Sequence, residues 1–92
     1  MNDKDIATPY SVIVYRDGNA PPTLDNLQET VGGYIEIVSI GDKQMVTNED
    51  GKLAGLNINP EATRWAQREG GIGFDDWIVG TVVVLEGSAK LV

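Results

Sequence analysis

The 92-residue sequence contains neither cysteine nor histidine. The absence of cysteine excludes disulfides and thiolate metal sites, and it is compatible with a reducing compartment. The absence of histidine removes the commonest general base and the commonest metal ligand. No apolar run approaches the roughly 20 residues that a membrane helix requires, and residues 1–5 do not resemble a signal peptide. We therefore predict a cytoplasmic protein with no membrane association, no metal and no cofactor.

Cations are also scarce. Seven Lys and Arg residues stand against fourteen Asp and Glu residues, which gives a formal net charge of −7. This balance argues against direct binding of nucleic acid, because a phosphate backbone must be neutralised by cations. It argues equally against an anionic membrane surface. A net negative protein attracts a basic partner, so the charge favours that class of ligand.

The length and composition predict one domain with a modest core. The hydrophobic fraction of 41% is ordinary for a globular chain and too high for a disordered one. Residues 1–9 are polar and end in a proline, which predicts a flexible lead. Residues 10–92 are predicted to form the single domain.

The first half of this domain predicts strand, helix, strand. Residues 10–16 are rich in β-branched and aromatic side chains, which favours a first strand. Thr23 is a helix N-cap, and Gly32 or Gly33 ends the helix that it begins. Residues 34–40 then form a strand that is apolar on both faces, which predicts a central place in the sheet.

The second half predicts a hairpin partner, a turn, a helix and a last strand. Residues 44–48 pair back on the preceding strand, and Gly51 lies in the turn that follows. The segment 52–56 fits either a short strand or a crossing segment. Asn59 is a second N-cap, followed by proline in the first turn. Residues 77–85 form the strongest strand pattern, interrupted by Gly80, which indicates a bulge or a close contact with the backbone.

The predicted element order is therefore β-α-β-β-α-β. A hairpin makes at least part of the sheet antiparallel. The fold class is α+β: one small domain with a mixed or antiparallel sheet and two short helices. The tail 86–92 contains a turn, with a closing edge strand as one alternative.

Three segments resemble a known family. They are VGGYIE at 31–36, NEDGKLAGLN at 48–57 and DWIVGTVVV at 76–84. Together they are similar to the DUF3846 family of small bacterial, plasmid and phage proteins of unknown function. The resemblance covers residues 11–85 and departs from the family pattern mainly between residues 61 and 74. It implies a shared fold and a phage or mobile-element setting, and it supplies no activity.

No residue forms a catalytic constellation, because the serines lack a histidine or lysine partner. The candidates for binding a ligand or partner are polar side chains near the predicted strand ends: Tyr34, Glu36, Asn48, Asn57 and Asp76. Glu36 interrupts an apolar strand, and Tyr34 would lie on the same strand face. The alternatives for Glu36 are an ordinary solvent-facing side chain and a carboxylate that caps backbone donors. The glycines at positions 32, 33, 51 and 80 are interpreted as structural.

These features favour a protein-interaction module over an enzyme. We expect a small acidic factor of phage or mobile-element type that binds and modulates a host protein, as a monomer or homodimer. One alternative is an acidic DNA mimic that inhibits a nucleic-acid enzyme, which requires a continuous acidic stripe. The other is a small-ligand-binding domain using the Tyr34 and Glu36 face, which requires a polar pocket containing those side chains.

Overall fold

The computed structural model describes residues 10–91, so the predicted lead at residues 1–9 lies outside the described residues. The elements in chain order are β1 (Val12–Tyr15), α1 (Leu24–Val31), β2 (Ile35–Ile40), β3 (Lys43–Asn48), α2 (Pro60–Arg68), β4 (Val82–Leu85) and a 3₁₀ helix (Gly87–Ala89). This order confirms the predicted β-α-β-β-α-β arrangement.

The four strands form one mixed sheet in the order β1-β4-β3-β2. β2 and β3 pair as an antiparallel hairpin, and β3 pairs antiparallel with β4. β1 joins the other side of β4 in parallel. The domain is therefore α+β, with β3 and β4 central.

One helix covers each face of the sheet, because alternate strand residues project to opposite faces. On one face α2 packs Ala62 and Ala66 against β-strand residues that include Val82 and Val84. On the other face α1 packs Leu27 and Val31 against a second set; its strand members are Val46, Val83 and Leu85. β4 is buried on both faces, which is why its sequence is continuously apolar.

Both helices begin at the predicted capping residues, and α1 also ends at a predicted glycine. The Thr23 hydroxyl accepts the backbone N–H of Asn26, and the Asn26 side-chain oxygen accepts the backbone N–H of Thr23. Gly32 ends α1 in the left-handed conformation with φ 85°, which costs glycine little. Asn59 caps α2 by accepting the N–H of Ala62 at 3.1 Å.

The predicted central position of β2 is wrong. β2 lies at the edge of the sheet, with β3 as its one neighbour among residues 10–91. Its Ile37 side chain is 42% exposed, and Ile35 and Val38 are only half-buried. The sequence predicted a central strand because β2 carries apolar residues on both faces. In the fold, however, the helices cover only part of each face.

The last strand is shorter than the predicted 77–85. Gly80 adopts φ 78°, and a Cβ at this position would lie 2.8 Å from Leu56 Cδ1. This backbone conformation bends the chain, so the regular strand begins at Val82 and residue Val79 makes a single bridge to Ile58. Gly80 is thus the site of close packing that the sequence indicated.

The structure decides between the alternatives that the sequence left for two further segments. Residues 52–55 form turns, and none of residues 52–56 lies in a strand. Over residues 86–91 the tail forms the 3₁₀ helix and no strand. Leu91 is held through the Gln44 side chain, which accepts its N–H at 2.7 Å and donates to its carbonyl at 2.9 Å.

Candidate binding groove

A groove of about 470 Å³ opens on the α2 face of the sheet, at the open end of the β2–β3 hairpin. Its floor contains Glu36 and Thr47, which are direct cross-strand partners, together with Val38. Its wall is the crossing segment, residues 70–79, which leads from the end of α2 back towards β4. The groove exists because α2 covers the other end of this sheet face and stops short of Glu36.

α2 fixes the crossing segment with two side chains that are spaced i, i+4 and so share one helix face. The Thr63 hydroxyl donates to the Ile78 carbonyl and accepts the Ile78 N–H at 2.9 Å. The Gln67 amide donates to the carbonyls of Phe74 and Asp76, at 3.3 and 3.0 Å. The wall of the groove is therefore tied to a helix that packs on the sheet through Ala62 and Ala66.

At its other end the crossing segment touches β2 through Gly71. A Cβ at this position would lie 2.5 Å from the Ser39 carbonyl oxygen. The Gly71 N–H also donates to the Ala66 carbonyl at 2.8 Å, which continues the end of α2. No larger residue fits here without moving the wall of the groove.

An ion pair stands at the rim. The Lys52 ammonium donates to the Asp76 carboxylate and lies 4.3 Å from the centre of the Trp77 ring. The Trp77 N–H donates to the same carboxylate oxygen at 2.7 Å. The Lys52 hydrogen bond, followed by the Trp77 N–H, holds the pKa of Asp76 below its usual range.

The groove carries an excess of negative charge. Its lining includes four carboxylates, namely Glu36, Glu49, Asp50 and Asp76, against one cation, Lys52. Because Lys52 is already paired with Asp76, three carboxylates are left without a cation in the lining. This arrangement suits a positively charged ligand.

The structure brings three of the five predicted binding residues to the groove: Glu36, Asn48 and Asp76. The Asn48 amide, however, is used internally. It donates to the Val31 carbonyl at 3.1 Å and accepts the Asp50 N–H at 2.8 Å, so it ties the end of α1 to the end of β3.

The other two predicted residues lie outside the groove lining. Tyr34 precedes β2 and is 69% exposed. Asn57 is exposed, and its carbonyl accepts the Gly80 N–H at 3.0 Å. The Tyr34 and Glu36 side chains therefore do not form a shared pocket.

Sequence reasoning missed Lys52 and Trp77, which lie at the rim with Asp76. The Lys52 and Asp76 positions are 24 residues apart, and no local pattern joins them. The sequence held one weak signal: Trp77 is a large aromatic residue that directly follows two acids, after the glycine-rich segment 70–73. The strand pattern of residues 77–85 includes Trp77, so the sequence alone gives no reason to place it in the site.

Within residues 10–91, no group of three or more acidic side chains is placed to hold a metal ion. Across the same residues, no helix is long and apolar enough to cross a bilayer.

The glycines interpreted as structural are in close contact or in special conformations. A Cβ on Gly33 would lie 3.0 Å from the Asn48 amide nitrogen, and one on Gly51 would lie 2.7 Å from Val79. These contacts set the backbone at the ends of β2 and β3, where the groove opens.

Comparison with known proteins places the chain in one family. No curated protein and no solved structure matches it significantly. The model of DUF3846, a domain of unknown function, matches residues 7–90, which is nearly the whole chain. The match agrees with the resemblance carried by residues 31–36, 48–57 and 76–84. The chain therefore belongs to the DUF3846 family.

Proposed function

We propose that this protein is a protein-interaction module that receives a basic segment of a partner protein in its groove. The observation that carries the proposal is the groove itself, an open channel whose lining has three more negative than positive charges. The net charge of −7 supports the same class of partner by attracting basic proteins at long range. We place the protein in the cytoplasm, as a factor of a phage or mobile element whose partner is a protein of the host cell.

The composition of the groove supports a protein segment over a small polar ligand. Carboxylates lie beside apolar surface from Leu53 and Ile72, and Trp77 presents an exposed ring at the rim. Exposed aromatic side chains next to charged groups are typical of peptide and protein contacts. A lysine or arginine side chain matches both features, because its stem is apolar and its end is charged.

The test is binding of a labelled lysine-rich peptide, measured by fluorescence anisotropy. Glu36→Gln removes one groove charge, and we expect it to weaken binding about two- to fivefold, the effect of an exposed ion pair. Glu29→Gln is the matched control, because Glu29 lies on α1, across the sheet from the groove, and the net charge changes by the same amount.

Equal weakening by the two variants would contradict the proposal, since it would mean that only net charge matters. Binding that survives high salt undiminished would contradict the role of the carboxylates, because interactions between exposed charges are screened by salt.

A further inference from the structure

The outer edge of β2 carries backbone groups that no described residue pairs. In an antiparallel ladder, directly hydrogen-bonded pairs alternate with non-bonded ones. The Glu49 N–H donates to the Tyr34 carbonyl at 2.8 Å in the register of the hairpin, so even-numbered residues of β2 bond to β3. The N–H and C=O groups of Ile35, Ile37 and Ser39 therefore point away from the sheet.

This edge has few of the features that usually protect an edge strand: Glu36 is its one charged residue, and the crossing segment packs against it at the Ser39 carbonyl, through Gly71. Such strands are commonly short, bulged, or interrupted by proline or lysine. β2 has six residues, contains no proline or lysine, and pairs with β3 in one unbroken register. β1, the other edge of the sheet, has four residues. β2 is thus the edge that is suited to pair with a further strand.

The groove reaches this edge. Ile37 and Ser39 contribute to its lining, although their side chains project to the opposite face with Ile35. It is therefore the outward backbone of β2 that borders the groove. A chain lying along the edge would place alternate side chains into the groove, beside Glu36, and the others beside Ile37 on the α1 face.

From these observations we propose that the partner segment binds as an added β-strand along β2. The ligand is an extended segment in which lysine or arginine alternates with apolar residues. Its cations enter the groove, its apolar residues cover the 42% exposed Ile37, and its backbone pairs with the free groups of Ile35 and Ile37. This inference rests on the proposed function, and it adds the binding mode and the sequence pattern.

Charge decides between a foreign segment and a second copy of this chain. Each copy carries a net charge of −7, and a β2–β2 pair would bring two acidic grooves together. Like charges brought together in an interface oppose association. A basic segment gains from the same charges, so it is the occupant that the surface favours.

The decisive ligand is a peptide of alternating lysine and valine, with two backbone-methylated versions. One carries N-methyl groups on every valine and the other on every lysine, so each has one blocked edge and the same charge. In antiparallel addition, the residues opposite Ile37 share its face and direct their N–H groups to β2. We therefore expect backbone N-methylation at the valines to weaken binding about tenfold or more, because hydrogen bonds to β2 are lost. Backbone N-methylation at the lysines should leave the affinity within about threefold.

The reverse result, in which methylation at the lysines weakens binding and methylation at the valines does not, also supports strand addition and identifies a parallel orientation. Equal binding of all three peptides overturns strand addition while leaving a basic partner in place. A failure of every peptide to bind overturns the proposed function and this inference together.

A protein variant tests the same edge. Ile37→Pro removes an outward N–H that β3 does not use, so the hairpin keeps its ladder. We expect it to weaken the unmethylated peptide about tenfold, with Ile37→Thr as the control for the lost apolar contact. If sedimentation shows a dimer that Ile37→Pro converts to a monomer, the occupant is a second copy and the proposal is overturned.

Discussion

Asn59 offers the sharpest test of how the start of α2 is joined to the chain that leads into β1 and β4. Its side chain is buried, with 1% exposure, and each of its polar atoms is used. The Oδ1 atom caps α2, and the Nδ2 group donates to the Gly80 carbonyl at 2.8 Å and to the Ser11 carbonyl at 3.3 Å. The substitution Asn59→Asp keeps the shape and the cap but turns the donor into a second oxygen facing those carbonyls.

The size of the effect follows from proton linkage. An ionised carboxylate at this position would be buried against two carbonyl oxygens, so the folded state favours the protonated acid, which can donate to Gly80. Holding an acid of ordinary pKa near 3.9 fully protonated at pH 7 costs about 4 kcal/mol, which is the upper limit of the protonation cost. This is a large share of the roughly 5–15 kcal/mol expected for the unfolding of such a domain.

The pH dependence gives the prediction its sign. The folded-state pKa of the new acid is raised, so between pH 4 and pH 7 the unfolded state binds fewer protons than the folded state. The deficit of Asn59→Asp relative to the native chain should therefore grow by up to about 1.4 kcal/mol for each pH unit as the pH rises.

Urea unfolding followed by tryptophan fluorescence at several pH values measures this deficit. Asn57→Asp is the matched control, because Asn57 is exposed two residues away, and it should change the unfolding free energy by less than about 0.5 kcal/mol. A deficit for Asn59→Asp that is independent of pH, or one equalled by the control, would refute the reasoning.

Two further substitutions test the elements around the groove by the same unfolding assay. Gly80→Ala should lose about 2 to 3 kcal/mol, because it combines a left-handed φ with a contact to Leu56, whereas Gly55→Ala, with φ 75° and open space, should lose about 1 to 2 kcal/mol from conformation alone. Equal losses would show that the Leu56 contact is unimportant. Asp76→Asn should lose about 0.5 to 1 kcal/mol at pH 7, since Lys52 and its partner are each about half exposed. Because the folded pKa of Asp76 is lowered, its contribution is present above the ordinary value of 3.8 and is lost as the pH falls through the folded value, so a difference that does not shrink as the pH falls below 3.8 would contradict the ion pair.

Local chemistry explains which parts of the fold could be predicted. Thr23, Gly32 and Asn59 act on neighbouring backbone groups, within three or four residues, so their roles are visible in the sequence. The hairpin follows likewise from two strand-forming segments separated by a short turn at Gly41 and Asp42. The order of strands in the sheet depends on contacts between distant segments, so the edge position of β2 could not be obtained in this way.

The site was harder to predict than the fold because long-range packing assembles it. Glu36 was identified as unusual within its own strand, and it does lie in the groove. The residues opposite it, such as Ile72 and Asp76, arrive there because Thr63 and Gln67 hold the crossing segment. Asn48, by contrast, was selected as a polar residue at a strand end, and its amide serves the junction with α1.

The error over β2 bears on function. The sequence from Ile35 to Ile40 has the composition of a strand with neighbours on both sides, yet the described fold gives it one. An edge of this kind favours unwanted association unless a partner covers it. Glu36, in the middle of the strand, adds a charge that selects against other acidic chains. β2 has the composition of a central strand but lies at the edge of the sheet. A basic partner that supplies the second neighbouring strand would account for this difference.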